Sequence, residues 1–125
     1  MTKFKSTSFK ESMYHAIRGL KLAVSSQKNF LFEIFAGSFV TFIAIMLKFE
    51  PSDFAILFIM IAIVLVCELI NSVIEFTLDA VYGNNYSKLV EMAKDMSAGM
   101  VLLAAIFSLL VGFVLFYPYV MALFD

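Results

Sequence analysis

The stretch Cys67–Val81, reading CELINSVIEFTLDAV, decides how this chain folds, because a long apolar run becomes polar there on one side only. On an α-helix, five polar side chains of this stretch fall within an arc of about 100°. They are Glu68, Asn71, Ser72, Glu75 and Asp79, and we call them the polar stripe. Carboxylates and amides are costly in hydrocarbon, so the stripe is expected to face a protein interior or a wet cleft and to be functional. The simpler interpretation is the solvated polar end of a helix that leaves the membrane.

The composition indicates an integral membrane protein of one domain, spanning residues 1–125. The chain is 62% hydrophobic and only 15% charged, which is not a soluble composition. A net charge of −1 provides no basic surface of the kind that nucleic acid needs, so nucleic-acid binding is set aside. Cys67 is the single cysteine, which excludes a disulfide framework. The first residues lack the compact apolar core of a secretory signal, so we expect nothing to be removed.

Residues 9–25 are predicted to form an amphipathic helix. Apolar side chains between Phe9 and Val24 share one arc of the helix, and Ser8 and Glu11 are spaced for a capping box at its start. The basic residues before the first span are Lys3, Lys5, Lys10, Arg18, Lys21 and Lys28. This pattern favours a helix that lies on an anionic membrane face, which is the cytoplasmic face by the positive-inside rule, with the N-terminus inside. A helix that packs on a soluble partner is the alternative.

Three membrane spans are predicted, at about 30–48, 54–82 and 96–118. Within the apolar part of the first span the only charge is Glu33, which either reaches the headgroups or faces the same interior as the polar stripe. The apolar block Phe54–Cys67 corresponds to about 21 Å of helix, too short to cross a membrane alone. The second span must therefore continue into the polar stripe.

The breaks between the spans are predicted from their turn residues. Pro51 is expected to break the helix after the first span, and Ser52 or Asp53 to cap the second. Gly83 is typical of a helix C-cap. A short polar helical segment then leads into the third span, and an aromatic belt, Tyr117–Tyr119, is expected to mark its outer end.

These predictions gather the polar stripe and the basic helix on the side where ATP and magnesium are available. Glu68 and Glu75 could divide two tasks, one binding a hard cation and the other taking a proton from an alcohol. Lys94 could contact phosphate oxygens. The sequence has no glycine-rich phosphate loop, so side chains on helices would have to hold phosphate. A proton or cation pathway would explain the stripe as well as an enzyme does, but the outer halves of the spans are apolar.

The motif ELINSVIEFTLDAV, followed by AKDMSAG at residues 93–99, resembles the prokaryotic diacylglycerol kinase family, which includes the undecaprenol kinases. The resemblance extends from about Phe9 to Pro118 and includes AIRGL and QKNF before the first span. It implies an all-α homotrimeric bundle with a surface helix and three spans in each chain. It also implies transfer of the γ-phosphate of magnesium ATP to a membrane lipid hydroxyl. The product would be phosphatidic acid from diacylglycerol, or undecaprenyl phosphate from undecaprenol.

Roles carried over by position follow from this resemblance. Glu68 corresponds to the general base and Glu75 to a metal-binding carboxylate. The residues implied to bind or support ATP are Asn71, Lys94, Asp95 and Asp79. Where the family pattern has a second metal-binding glutamate, this chain has Gln27. The lipid substrate stays open, and the alternative to an enzyme is a small non-catalytic membrane subunit for assembly or ion conduction.

Overall fold

A computed structural model describes residues 8–85 and 87–125, which form four α-helices with no strand between them. They are α1 (Phe9–Ser26), α2 (Lys28–Met46), α3 (Pro51–Tyr82) and α4 (Lys88–Ala122). The last three are long and apolar enough to cross a membrane. The prediction of an all-α membrane protein with three spans and a preceding helix is confirmed. Lys3 and Lys5 of the basic cluster lie outside the described residues.

α1 begins at the predicted cap and leaves its apolar face open. Ser8 has an extended backbone, and its Oγ accepts a hydrogen bond from the backbone N–H of Glu11 at 3.2 Å. Of the whole helix only Ala23 is buried, whereas Phe9 is 79% exposed. An amphipathic helix whose apolar face is not covered by its own chain is suited to lie on a membrane surface.

Gln27 forms the elbow between α1 and α2. Its backbone is extended, with φ −112° and ψ 102°, so it ends α1 and precedes the first residue of α2. Its N–H still donates to the carbonyl of Ala23 at 2.9 Å, which closes the last turn of α1. One extended residue therefore separates two helices that would otherwise be continuous, and it places the side chain of Gln27 at their junction.

The turn between α2 and α3 differs from the predicted one. Pro51 does not merely break the chain but occupies the first turn of α3, where its missing N–H costs nothing. The cap is the backbone of Glu50, without a side-chain capping bond, so neither Ser52 nor Asp53 caps α3. Asp53 instead accepts a hydrogen bond from the hydroxyl of Tyr119 at 2.5 Å. The same hydroxyl oxygen accepts from the N–H of Glu50 at 3.0 Å, so α4 is tied to this turn.

The best-packed apolar cluster lies at this end of the bundle. Its buried members are Ala44, Phe49, Leu57 and Leu115. The ring of Phe49 stacks on that of Tyr119, with 4.3 Å between the centroids. Away from this cluster most long apolar side chains are exposed, as at Leu109, which is 75% exposed. Exposure on this scale requires lipid or neighbouring chains around the helices.

α3 and α4 are each continuous, and they form the largest helix–helix contact of the bundle. α3 has 32 residues, about 48 Å at 1.5 Å per residue, so it exceeds a hydrocarbon core of about 30 Å. It ends at Gly83, whose φ of 57° favours glycine and whose N–H donates to the carbonyl of Asp79, as a C-cap requires. The polar segment and the third span, predicted as successive pieces, form the single helix α4.

Candidate active site

The α1–α2 elbow covers the polar stripe from one side. Glu68 is 3% exposed, with the side chain of Asn29 as its hydrogen-bonding neighbour. Ser72 is 5% exposed, and its Oγ donates to Oε1 of Gln27 at 3.2 Å. Buried polar groups are stable only when they have such partners. Because two residues of the stripe are enclosed between helices, the stripe is not simply a solvated helix end.

α4 covers the polar stripe from the other side. The hydroxyl of Ser97 donates to Oδ1 of Asn71 at 2.7 Å, and Nζ of Lys94 lies 2.6 Å from Oδ1 of Asp79. Lys94 and Ser97 are three residues apart and therefore share one face of α4. The Lys94–Asp79 pair is half-exposed, whereas Ser97 is buried. Two polar contacts thus join α3 and α4 along the stripe.

Glu33 of α2 lies beside the polar stripe. Its Oε2 is buried and has no hydrogen-bond partner among residues 8–85 and 87–125. Its carboxylate lies close enough to Glu68 for electrostatic repulsion, and Glu68 in turn interacts with Glu75. Three carboxyl groups from α2 and α3 therefore lie in one region.

The donor set around Glu75 suits a magnesium ion that arrives with phosphate. In the part of the chain that the structure describes, no group of three or more His, Cys, Asp or Glu side chains forms a ready-made metal site. Glu68 and Glu75 lie two helical turns apart on one face of α3. Ser72 lies between these two glutamates in the sequence, and its hydroxyl donates to Oε1 of Gln27. Mg²⁺ commonly takes one or two carboxylates together with water and substrate phosphates. The residues present fit that mode of binding.

The structure brings most of the predicted site residues together but not all of them. Asp95 is exposed on α4 and takes no part in the contacts along the stripe. Sequence reasoning noted Ser97 only as a small residue that allows close helix packing, and it did not predict that Asn29 or Ser97 contacts the stripe. Both lie in segments that the family resemblance had drawn attention to, QKNF and AKDMSAG, but only the packing of the helices shows that they contact the stripe.

An apolar groove runs along the bundle and ends beside Asn29, the neighbour of Glu68. It has a volume of about 540 Å³ and is lined by residues of α2, α3 and α4. Asn29 and Glu33 line it near the stripe, and Leu115 and Phe116 line it towards the α2–α3 turn. A groove with apolar walls and convergent polar groups at one end can hold a molecule that has an apolar chain and a polar head.

Comparison with known proteins agrees with the motif. The family model for prokaryotic diacylglycerol kinase matches residues 14–116, which contain the polar stripe and every contact described along it. A diacylglycerol kinase from Synechocystis sp. is 36% identical over 112 residues, which are 90% of this chain and 64% of that protein. An undecaprenol kinase from Bacillus subtilis is 30% identical over 110 residues, 88% of this chain and 89% of that protein. The chain thus spans just under two thirds of the length of the first relative.

Proposed function

The chain belongs to the prokaryotic diacylglycerol kinase family, and on that premise we propose that it transfers the γ-phosphate of ATP to the hydroxyl of a membrane lipid. The acceptor is diacylglycerol or undecaprenol, the substrates after which the two relatives are named. The observation that carries the proposal is the buried carboxylate of Glu68, whose neighbour Asn29 lines one end of an apolar groove. A lipid alcohol has the apolar chain and the polar head that this arrangement fits.

Glu68 is the proposed general base. Phosphoryl transfer to an alcohol needs a group that accepts the hydroxyl proton while the oxygen attacks the γ-phosphorus. A lipid chain lying in the groove would bring its hydroxyl towards Glu68, whose carboxylate is kept in place by burial and by Asn29.

The ATP phosphates are proposed to meet side chains from two helices. Lys94 of α4 supplies a positive charge, and Asn71 of α3 supplies an amide N–H. Asp79 supports this site by holding the ammonium group of Lys94 at 2.6 Å, and Asp95 lies exposed at its edge. Glu75 and the neutral oxygen of Gln27 are the proposed protein ligands of Mg²⁺, which would neutralise phosphate charge when it is bound.

We further propose that the protein is a homotrimer in the bacterial inner membrane, with its N-terminus in the cytoplasm. The exposed apolar faces of α2, α3 and α4 support association with lipid and with other copies of the chain. The basic residues of α1, which are Lys10, Arg18 and Lys21, support an anionic cytoplasmic surface. The turn at residues 47–50 would then face outwards.

A direct assay tests the proposed function. Purified protein in lipid micelles is given magnesium ATP labelled at the γ-phosphate, together with diacylglycerol or undecaprenol in parallel reactions. Labelled lipid is expected with at least one acceptor, and the comparison of the two rates identifies the substrate. The absence of labelled lipid with both acceptors would contradict the proposal and favour a non-catalytic membrane subunit.

A further inference from the structure

The hydrogen bond between Ser97 and Asn71 has the properties of a positioning contact. Ser97 is one of three polar or charged residues that are buried in the described part of the chain, and the other two, Glu68 and Ser72, belong to the polar stripe itself. Its hydroxyl crosses from α4 to α3 and donates to Oδ1 of Asn71 at 2.7 Å. A buried hydroxyl is costly without a partner, so this bond constrains both side chains.

In the structure the bond occupies the oxygen end of the Asn71 carboxamide and leaves the NH₂ end available. A carboxamide has an oxygen that accepts hydrogen bonds and an NH₂ group that donates two. The oxygen is engaged by Ser97, whereas the NH₂ group donates to none of residues 8–85 and 87–125. Asn71 is only half-buried, so that NH₂ group can still reach a ligand.

The opposite orientation of the Asn71 carboxamide would favour a different ligand. If the carboxamide were turned by 180°, its NH₂ group would donate to the hydroxyl of Ser97 and its oxygen would face the site. An oxygen there would repel phosphate and could bind a metal ion, whereas the NH₂ group attracts phosphate oxygens. The orientation of Asn71 therefore determines whether it acts on phosphate or on metal.

Resting on the proposed kinase function, we propose that Ser97 is a positioning residue that directs the NH₂ group of Asn71 towards the phosphates of ATP. Lys94 lies one turn before Ser97 on the same face of α4, and its ammonium group is held at the same interface by Asp79. α4 thus carries one phosphate-binding cation and the residue that orients a second phosphate-binding group.

Three substitutions separate this role from a structural one. Ser97→Ala removes the donor that orients the carboxamide, and Ser97→Thr keeps a hydroxyl at the same position. Asn71→Asp keeps an acceptor for Ser97 but has no NH₂ group. Thr77→Ala is the matched control, because the hydroxyl of Thr77 bonds to the carbonyl of Val73 within its own helix and lies outside the stripe.

The first measurement is the equilibrium binding of magnesium ATP in lipid micelles, together with the KM for ATP and for the lipid. Ser97→Ala should raise the Kd and the KM for ATP about fivefold, the effect of losing one ordinary hydrogen bond, with the KM for lipid unchanged. Ser97→Thr should restore ATP binding to within about twofold, and Thr77→Ala should match the unsubstituted protein. Unchanged ATP binding in Ser97→Ala would overturn the proposal. The proposal would also be overturned if Ser97→Ala raised the KM for ATP and the KM for lipid equally and had a lower unfolding midpoint, because that would indicate a general loss of structure.

The second measurement distinguishes phosphate from metal. Asn71→Asp should weaken ATP binding and should not lower the Mg²⁺ concentration for half-maximal activity, because a carboxylate repels phosphate. A lower Mg²⁺ requirement in this variant would show that residue 71 lies beside the metal ion and not beside the phosphates, and would overturn the proposal. Protein labelled with ¹⁵N-asparagine adds a readout without turnover. The carboxamide signal that Asn71→Asp removes should shift when a non-hydrolysable ATP analogue is added.

These results also separate the two proposals. If the unsubstituted protein binds magnesium ATP and Ser97→Ala weakens that binding, but no lipid is labelled, the role of Ser97 holds and the lipid kinase assignment fails. If lipid is labelled and Ser97→Ala binds ATP normally, the kinase assignment holds and the role of Ser97 fails. If the unsubstituted protein binds no nucleotide, both fail.

Discussion

At the scale of single residues, Glu68 is buried and adjoins Asn29, which lines one end of the apolar groove. Glu68→Gln keeps the size of the side chain and its contact with Asn29 but removes the proton acceptor. We expect turnover to fall by about two to four orders of magnitude, with the Kd for ATP largely kept. Glu50→Gln is the control, because that carboxylate lies at the α2–α3 turn. Near-normal turnover in Glu68→Gln would mean that this buried carboxylate is structural.

Gln27 is the second residue whose chemistry can be tested alone. Its oxygen accepts a hydrogen bond from Ser72, which lies between Glu68 and Glu75 in the sequence of α3. A carboxylate at position 27 would therefore add a further negative charge beside these two glutamates. Gln27→Glu should therefore lower the Mg²⁺ concentration for half-maximal activity, because a charged oxygen binds Mg²⁺ better than an amide oxygen. It should also lower the unfolding midpoint without Mg²⁺ and make that midpoint rise more steeply when Mg²⁺ is added.

The control for position 27 is Gln27→Met, which has a similar size and no oxygen. It should lose the bond to Ser72 and gain no affinity for the ion. The competing view is that the identity of an elbow residue hardly matters. Identical Mg²⁺ titrations for the glutamine and glutamate proteins, in both activity and unfolding, would support that view.

At the scale of elements, Tyr119 joins α4 to the turn between α2 and α3. Tyr119→Phe keeps the ring that stacks on Phe49 and removes the hydroxyl shared by Asp53 and the N–H of Glu50. We expect a loss of about 1 kcal/mol in the free energy of unfolding, because this end of the bundle is partly open to solvent. ATP affinity should not change, since the polar stripe lies at the other end of α3.

Tyr117→Phe provides the comparison for this measurement. The side chain of Tyr117 is 52% exposed and its hydroxyl makes no hydrogen bond to residues 8–85 or 87–125, so stability should change little. Unfolding in mixed micelles, followed by circular dichroism, measures both variants. Equal stability of the two would mean that the contact at Asp53 contributes nothing to the packing of α4.

The sequence predicted the elements better than it predicted how they meet. Apolar length predicts the spans, and Ser8 and Gly83 act as caps because capping depends on a few neighbouring residues. The bonds from Tyr119 to Asp53 and from Ser97 to Asn71 join residues 66 and 26 positions apart. Such contacts depend on which helix faces pack together, and one helix pattern allows several packings. Asp53 is not the cap because α3 begins at Pro51, which places Asp53 inside the first turn and Glu50 at the cap position.

At the scale of the whole molecule, orientation in the membrane follows from the charges at the two ends of the bundle. Single cysteines at positions 10 and 84, in a Cys67→Ser background, should be labelled by an impermeant reagent only after the cells are opened. A cysteine at position 50 should be labelled in intact cells. The expected difference arises because α1 is basic and the α2–α3 turn contains Glu50 and Asp53. Labelling of position 10 in intact cells would contradict the proposed topology.

The proposed homotrimer can be tested at the scale of the whole molecule. In a single chain, long apolar side chains on α2, α3 and α4 are exposed. A defined oligomer requires specific contacts between copies of the chain at such faces. We expect active protein in detergent to have the mass of a trimer.

If two chains contribute to one site, an inactive Glu68→Gln protein mixed with an inactive Lys94→Ala protein should recover part of the activity after subunit exchange. Each protein mixed with itself is the control. A monomeric mass for active protein would exclude the trimer. A trimeric mass without recovery on mixing would mean that each chain builds its own site from the contacts between α2, α3 and α4.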